Sequence, residues 1–257
     1  MSKFSLRRRT LVPFAALVMA AALDAPVPAG SGAAAATSTS TGCSSVTVPA
    51  YFYPGPVWDG TTSGSPTIGR TLIVNPASGP GTQQDPNYVA TVQRVRTAGA
   101  RVVGYVHTSY GARPVDAVLA DIERYREWYG VVDVFLDEVS SSAGDLEYYR
   151  PVAEHIRAAG GHVLLNPGTH PDERYMALGD QVVTFEGTYD TYRRIQVPAW
   201  TAAYPPGRFT HLVYSTSKRQ LSTALSLASQ RRAGNVYVTN DGGTNPWDTL
   251  PPYWADE

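Results

Sequence analysis

The chain has 257 residues, of which 43% are hydrophobic and 17% are charged, and its formal net charge is -1 at pH 7. This is the composition of an ordinary soluble globular protein that is large enough to bury one barrel-sized core. The near-zero charge gives no electrostatic reason to expect a nucleic acid or an anionic membrane as partner.

The N-terminus has the three parts of a secretory signal. The basic run 7–9 precedes a short apolar stretch at 10–23, and small residues follow. The apolar stretch is too short to span a bilayer comfortably. We therefore predict a signal peptide at residues 1–36, a flexible linker rich in Gly, Ala, Ser and Thr at 37–45, and secretion to the extracellular space. The arginine run partly matches a twin-arginine signal, so the Sec and Tat routes both stay open.

Cys43 is the only cysteine, so the chain cannot form an intramolecular disulfide in spite of an oxidising destination. The stretch 40–43 loosely resembles a lipoprotein acylation site, but it lies too far beyond the apolar stretch and lacks the expected leucine. We interpret Cys43 as inert, and we expect no lipid anchor and no membrane association after signal cleavage.

From Val46 onward, strand-like apolar runs alternate with helical patterns. Most of the runs are nearly continuous, which is typical of parallel strands covered on both faces. Eight strands are predicted: Val46–Tyr53, Thr71–Asn75, Arg101–His107, Val132–Glu138, His162–Asn166, Gln181–Glu186, Phe209–Tyr214 and Asn235–Asn240. Apolar residues at helical spacing predict four helices: Asn87–Gly99, Pro114–Tyr129, Asp145–Ala159 and Ser217–Ala233.

Eight strands alternating with helices in about 210 residues predict a (β/α)8 TIM barrel, as a single α/β domain at residues 46–257. A doubly wound open sheet is the alternative, but no Gly-rich phosphate fingerprint follows the first strand, where the chain runs through 53–56 instead. The segment 242–257 is rich in Pro and Trp, so we expect the last helix to be incomplete or replaced.

Two of the predicted strands end on acid, one at Asp137 and Glu138 and the other at Glu186. The carboxyl ends of barrel strands carry the chemistry, and alternate strands share one layer of side chains. Strands four and six should lie about 10 Å apart across the mouth, close enough for the paired carboxylates that cleave glycosidic bonds. Any single acid could instead cap the next helix. Neighbouring strand residues point opposite ways, so either Asp137 or Glu138 should lie behind the other.

Other residues at strand ends and in loops are candidates for substrate binding. His107 closes strand three and could bind substrate or only pack, and loop aromatics could stack on sugar rings. The candidate substrate-binding residues are Tyr53, Asn75, His107, Tyr110, Asn166, Tyr189 and Asp241. The five histidines are scattered and no Cys cluster occurs, so we expect no metal and no other cofactor. A Ser hydrolase is disfavoured because the chain lacks a Gly-x-Ser-x-Gly elbow.

Several segments together resemble the spherulation-specific family 4 (spherulin-4-like) proteins, over roughly Val46 to Asp241. The segments that carry the resemblance are Val48–Pro54, Asn75–Gly81, Gly104–Thr108, Phe135–Glu138, Asn166–Gly168 and Phe185–Tyr189. The resemblance implies a secreted TIM barrel. It also implies a substrate, because characterised fungal members hydrolyse galactosaminogalactan, an α-1,4-linked polymer containing N-acetylgalactosamine. The family's acids follow strands four and six and correspond here to Asp137, Glu138 and Glu186.

We therefore predict a secreted, endo-acting glycoside hydrolase whose partner is a polysaccharide containing N-acetylgalactosamine or galactosamine, and we expect a monomer. Glu186 is predicted as general acid/base, and Asp137 as nucleophile or as the group that orients the substrate's acetamido group. Glu138 would tune the pair, and the reverse assignment of acid and base stays open. The alternatives are a non-catalytic polysaccharide-binding or cell-wall protein that uses the same groove, and a spore-coat structural protein.

Overall fold

The computed structural model describes residues 45–62 and 69–256. The predicted signal peptide, nearly all of the predicted linker and Cys43 lie outside these residues. Within them, no helix combines the length and the apolar character needed to cross a membrane.

Eight parallel strands form a closed barrel in chain order, with the first strand also paired to the last. This confirms the predicted (β/α)8 class, and the closure excludes the open doubly wound sheet. The strands are β1 (Ser45–Ala50), β2 (Gly69–Val74), β3 (Arg101–His107), β4 (Val134–Asp137), β5 (Val163–Leu165), β6 (Gln181–Thr188), β7 (Phe209–Tyr214) and β8 (Asn235–Val238).

Among the described residues, four long helices pack outside the barrel, and their ends lie within three residues of the predicted bounds. The α-helices are α1 (Pro56–Gly60), α2 (Pro86–Thr97), α3 (Val115–Tyr129), α4 (Leu146–Ala158), α5 (Tyr189–Tyr192) and α6 (Lys218–Gln230). Local sequence sets the ends: Gly130 ends α3 in the left-handed region at φ 63°, and Ser217 and Gln220 form a capping box at the start of α6. Helix α3 lies close on the barrel because Gly104 has no Cβ, which would lie 2.6 Å from Cγ of Tyr125.

The ring of helices is incomplete. In the described part of the chain, β5 and β8 are followed only by 3₁₀ turns, at Glu173–Ala177 and Trp254–Asp256. After β8 the C-terminal tail instead runs back over the barrel, which agrees with the expectation of a replaced last helix. The Trp254 indole donates to the Gly60 carbonyl at 2.9 Å, and the Tyr253 hydroxyl donates to the Thr216 carbonyl at 2.6 Å. These bonds hold the tail against the end of α1 and the loop after β7.

Several strands end earlier than predicted, and this determines which residues reach the barrel mouth. Strand β1 ends at Ala50 rather than at Tyr53, and β5 has only three residues, so Asn166 lies just beyond it. Strand β4 ends at Asp137 because Glu138 has φ 51°, which leaves the extended region. Glu138 and Asn166 are therefore loop residues that follow directly on a strand.

Candidate active site

A cleft of about 590 Å³ opens at the carboxyl ends of the strands. Two of the three carboxylates that the strand pattern singled out, Asp137 and Glu186, line it, and the third, Glu138, does not. The other lining residues are Tyr51, Asn75, Pro76, Ala77, Ser78, Tyr105, Tyr214, Gly243, Thr244, Asn245, Pro246 and Trp247. The cleft therefore joins residues from the carboxyl ends of six strands, all except β5 and β8, to the C-terminal tail.

The two carboxylates are joined by one amide. The Asn166 side chain donates from Nδ2 to Oδ1 of Asp137 and to Oε2 of Glu186, each at 2.7 Å. Two oxygens that share a nitrogen at this distance lie at most about 5.4 Å apart. The Asn166 amide is itself oriented, because its Oδ1 accepts from the Gly168 N–H at 3.0 Å. Asn166 was predicted to bind substrate, whereas in the structure it bonds to the acids.

Glu186 and Asp137 sit in different electrostatic surroundings. Burial and then the negative charge of Asp137 raise the pKa of Glu186 to about 7, against the opposing effect of hydrogen bonds from Asn166 and the Trp247 side chain. Burial also raises the pKa of Asp137, and hydrogen bonds from the Tyr105 hydroxyl, the Glu138 backbone and Asn166 oppose this. Because burial and the charge of Asp137 raise the pKa of Glu186 to about 7, Glu186 is the acid of the pair that holds a proton below that pH.

Two tyrosines lie against this pair. Burial raises the pKa of both Tyr51 and Tyr105, and the charges of Asp137 and Glu186 add to the effect. Both phenols therefore stay protonated, and Tyr105 donates to Asp137. Their rings meet edge to face with centroids 5.4 Å apart. Tyr51 follows β1 and Tyr105 lies in β3, whereas the sequence-based prediction concerns acids on strands four and six. Both tyrosines lie in segments that carry the family resemblance.

An aromatic wall reaches the cleft from the C-terminal tail. Trp247 is buried, packs edge to face on Tyr214 with centroids 5.7 Å apart, and accepts at its carbonyl from the Tyr51 N–H at 3.1 Å. From the sequence, Trp247 is only one aromatic residue of the tail. Its contact with Glu186 joins residues far apart in the chain, so no local pattern shows it.

The loop after β2 forms another side of the cleft. The Asn75 side chain accepts at Oδ1 from the Gly79 N–H at 2.8 Å, which closes the turn that follows β2. Ser78 within that turn has φ 51°, a backbone conformation uncommon for a non-glycine residue and often found at functional sites. Of the predicted substrate-binding residues, Asn75 is the one that both lines the cleft and shapes its wall.

Glu138, His107 and Tyr110 form a group beside the cleft rather than in its lining. The Glu138 side chain is 42% exposed, and its Oε2 lies 3.8 Å from Nδ1 of His107. Tyr110 is 66% exposed and is held by its N–H, which donates to the Glu138 carbonyl at 2.7 Å. Strand β4 ends between the two neighbouring acids, and Glu138 is outside the cleft lining that holds the bridged pair.

Three further predicted binding residues, Tyr53, Tyr189 and Asp241, also lie outside the cleft lining. The exposed Tyr53 donates to Asp85 at 2.9 Å, at the start of α2. Tyr189 is not in a loop, as was predicted, but is buried as the first residue of α5. Asp241 accepts at its carbonyl from the Ser215 N–H at 2.7 Å. Among the residues that the structure describes, no group of three or more His, Cys, Asp or Glu side chains is arranged to hold a metal ion.

Comparisons with known proteins give a consistent result. The family model for spherulation-specific family 4 matches residues 45–257. Spherulin-4 of Physarum polycephalum is 36% identical over 225 residues, which is 82% of this chain and 68% of that protein. The crystal structure of Aspergillus clavatus Sph3 in complex with GalNAc is similar at a TM-score of 0.74 and 27% identity, over 84% of this chain and 96% of that one.

A more distant similarity concerns the fold alone. A Pyrococcus furiosus chitinase domain, in complex with chito-oligosaccharides, matches at a TM-score of 0.51 and 14% identity, over 82% of this chain and 92% of that one.

Proposed function

Because this chain belongs to spherulation-specific family 4 and carries a bridged carboxylate pair at its barrel mouth, we propose that it is a secreted glycoside hydrolase. Its substrate is a polysaccharide that contains N-acetylgalactosamine or galactosamine, as in galactosaminogalactan. The observation that carries the proposal is the pair itself, Asp137 and Glu186, held by one amide at a separation of at most about 5.4 Å between their bonded oxygens. A similar barrel is known in complex with GalNAc, which supports the sugar class.

The two acids have different roles in the reaction because their surroundings differ. Glu186, with its pKa raised to about 7, protonates the leaving glycosidic oxygen and afterwards takes a proton from water. Asp137 stays ionised beside it and stabilises the positive charge that develops at the anomeric carbon. It does so as nucleophile or by orienting the acetamido group of the substrate.

Asn166 and Tyr105 keep these roles apart. Asn166 gives both carboxylates a donor at 2.7 Å, so they can lie close with less repulsion. Tyr105 donates to Asp137 and favours its ionised form. A retaining glycosidase has its carboxyl groups about 5–5.5 Å apart, whereas an inverting one needs about 6.5–9.5 Å. The bridged pair fits the shorter class.

The cleft lining suits a neutral or cationic sugar. Tyr51, Tyr214 and Trp247 make one side of the cleft aromatic, and no Lys or Arg is among the lining residues that the structure describes. The two carboxylates disfavour polymers that carry uronate, sulfate or phosphate groups. An ammonium or acetamido substituent meets no such penalty.

The direct test is incubation of the purified mature domain with galactosaminogalactan and a panel of other neutral, cationic and anionic polysaccharides. Released oligosaccharides are identified by mass spectrometry, with Asp137→Asn and Glu186→Gln as controls of nearly unchanged shape. The proposal expects products from an amino-sugar polymer that disappear in both variants. Tight binding of that polymer without any product would replace the hydrolase with a non-catalytic polysaccharide-binding protein.

A further inference from the structure

The strand that carries Glu186 contains a one-residue irregularity. Along the β6–β7 ladder, Val183 pairs with Thr210, but the next pair is Phe185 with His211, so Thr184 has no partner on β7. Beyond it Glu186 pairs with Leu212 and Thr188 with Tyr214. The extra residue is a β-bulge, a feature that turns the side chains following it.

The bulge decides which way Glu186 points. Paired residues on neighbouring strands share a face, and Tyr214, two residues after Leu212, lines the cleft together with Glu186. Without the extra residue, Glu186 would pair with Val213, which packs in the cluster outside the barrel with Tyr189 and Tyr192. A shift of one residue moves a strand's side chains to the opposite face.

A buried polar chain closes the bulge. Nε2 of His211 lies 3.1 Å from Oγ1 of Thr184, and its Nδ1 lies 2.7 Å from the Tyr192 hydroxyl. All three side chains are at most 2% exposed. A neutral imidazole has one donor and one acceptor, so it can satisfy both hydroxyls without carrying a charge. Phe185 closes the same side, with its ring centroid 4.7 Å from that of Tyr192.

We propose that the Thr184–His211–Tyr192 chain is a positioning device for Glu186, which fixes the bulge and so holds this acid inside the barrel. The inference rests on the proposed function for its catalytic meaning, but the direction of Glu186 can be measured without substrate. His211 is a positioning residue, since it is not among the residues that line the cleft.

The surroundings of His211 keep its imidazole neutral, so the hydrogen bonds of the Thr184–His211–Tyr192 chain do not change with pH in the range where Glu186 titrates. Burial and then the charges of His170 and Arg231 lower the pKa of His211 to about 3. The guanidinium of Arg231 lies 4.7 Å above the ring of Tyr192, on the outer side of the chain. His211 is therefore neutral throughout the pH range in which Glu186 titrates.

Two substitutions remove single hydroxyls from this chain. Thr184→Val keeps the shape of the side chain, and Tyr192→Phe keeps the ring that packs on Phe185. Thr61→Val is the matched control, because Thr61 is equally buried and donates to the Trp58 carbonyl at 2.7 Å, in the loop after α1. The carboxyl titration of Glu186 is followed by ¹³C NMR, with its signal assigned by Glu186→Gln, together with kcat, KM and the melting temperature.

In Thr184→Val and Tyr192→Phe, the pKa of Glu186 should fall towards its ordinary value because the side chain gains access to water, and kcat should fall about tenfold while KM changes little. The control should lower only the melting temperature. If both variants lose thermal stability like the control and keep the wild-type titration, the positioning role is wrong. If the titration shifts as expected but wild-type protein cleaves no polymer, the proposed function fails while the device stands.

Discussion

The raised pKa of Glu186 has a consequence for stability that needs no substrate. The pKa rises from an ordinary 4.5 to about 7 in the folded protein. At a pH between these values the folded protein still holds the Glu186 proton, whereas the unfolded chain has released it. The contribution of this carboxyl to the free energy of unfolding is therefore full below about pH 4.5 and is lost as pH rises through 7. Each unit corresponds to about 1.4 kcal/mol, which gives a total of about 3 kcal/mol.

Glu186→Gln removes the charge and keeps the shape of the side chain. We expect this variant to be more stable than the wild type by about 3 kcal/mol at pH 8, and by less than about 1 kcal/mol at pH 5. The free energy of unfolding is measured by urea titration at both pH values. Glu154→Gln, on the exposed face of α4, makes the same chemical change away from the cleft. If Glu186→Gln raised the free energy of unfolding equally at both pH values, or lowered it at pH 8, the folded protein would not raise the pKa of this carboxyl as described.

Three further predictions concern activity. Trp247→Phe removes the indole donor that favours ionised Glu186, so the pKa of Glu186 should rise and the alkaline limb of the pH–rate profile should move up by about one pH unit. An alkaline limb at the wild-type pH would contradict this role of Trp247. Asn166→Ala leaves two unbridged acids and should lower kcat about a hundredfold with a smaller change in KM, and wild-type kcat would show that the bridge is dispensable. The short distance between the carboxylates predicts products that keep the anomeric configuration of the substrate, as read by ¹H NMR of the first product formed; inversion would exclude Asp137 as nucleophile.

The strand–helix order and the carboxylates were accessible from sequence because both depend on local patterns. Apolar runs separated by helical spacing predict the barrel, and an acid directly after such a run lies near its mouth. This placed Asp137 and Glu186 together across strands four and six. The bounds of β5 were less accessible, since its three residues give little pattern, and Asn166 lies beyond its end.

The rest of the site depends on contacts that no local pattern encodes. Thr184 fits the alternation of a regular strand, so the bulge that turns Glu186 inward is visible only from its pairing with β7. Trp247 lies in the segment after β8 and its side chain donates to Glu186, a contact between residues far apart in the chain. Tyr53 shows the opposite error: it was placed at a strand end, but β1 stops at Ala50 and the tyrosine turns to the start of α2.

The most direct test of the central claim compares Asp137→Asn, Glu186→Gln and the double variant on whichever amino-sugar polymer the wild type cleaves. Residues that act as one unit lose activity without additivity. We therefore expect each single variant to lose at least about a thousandfold in kcat/KM, and the double variant to lose little more. If either single variant cleaved the polymer at the wild-type rate, the bridged pair would not be the catalytic centre.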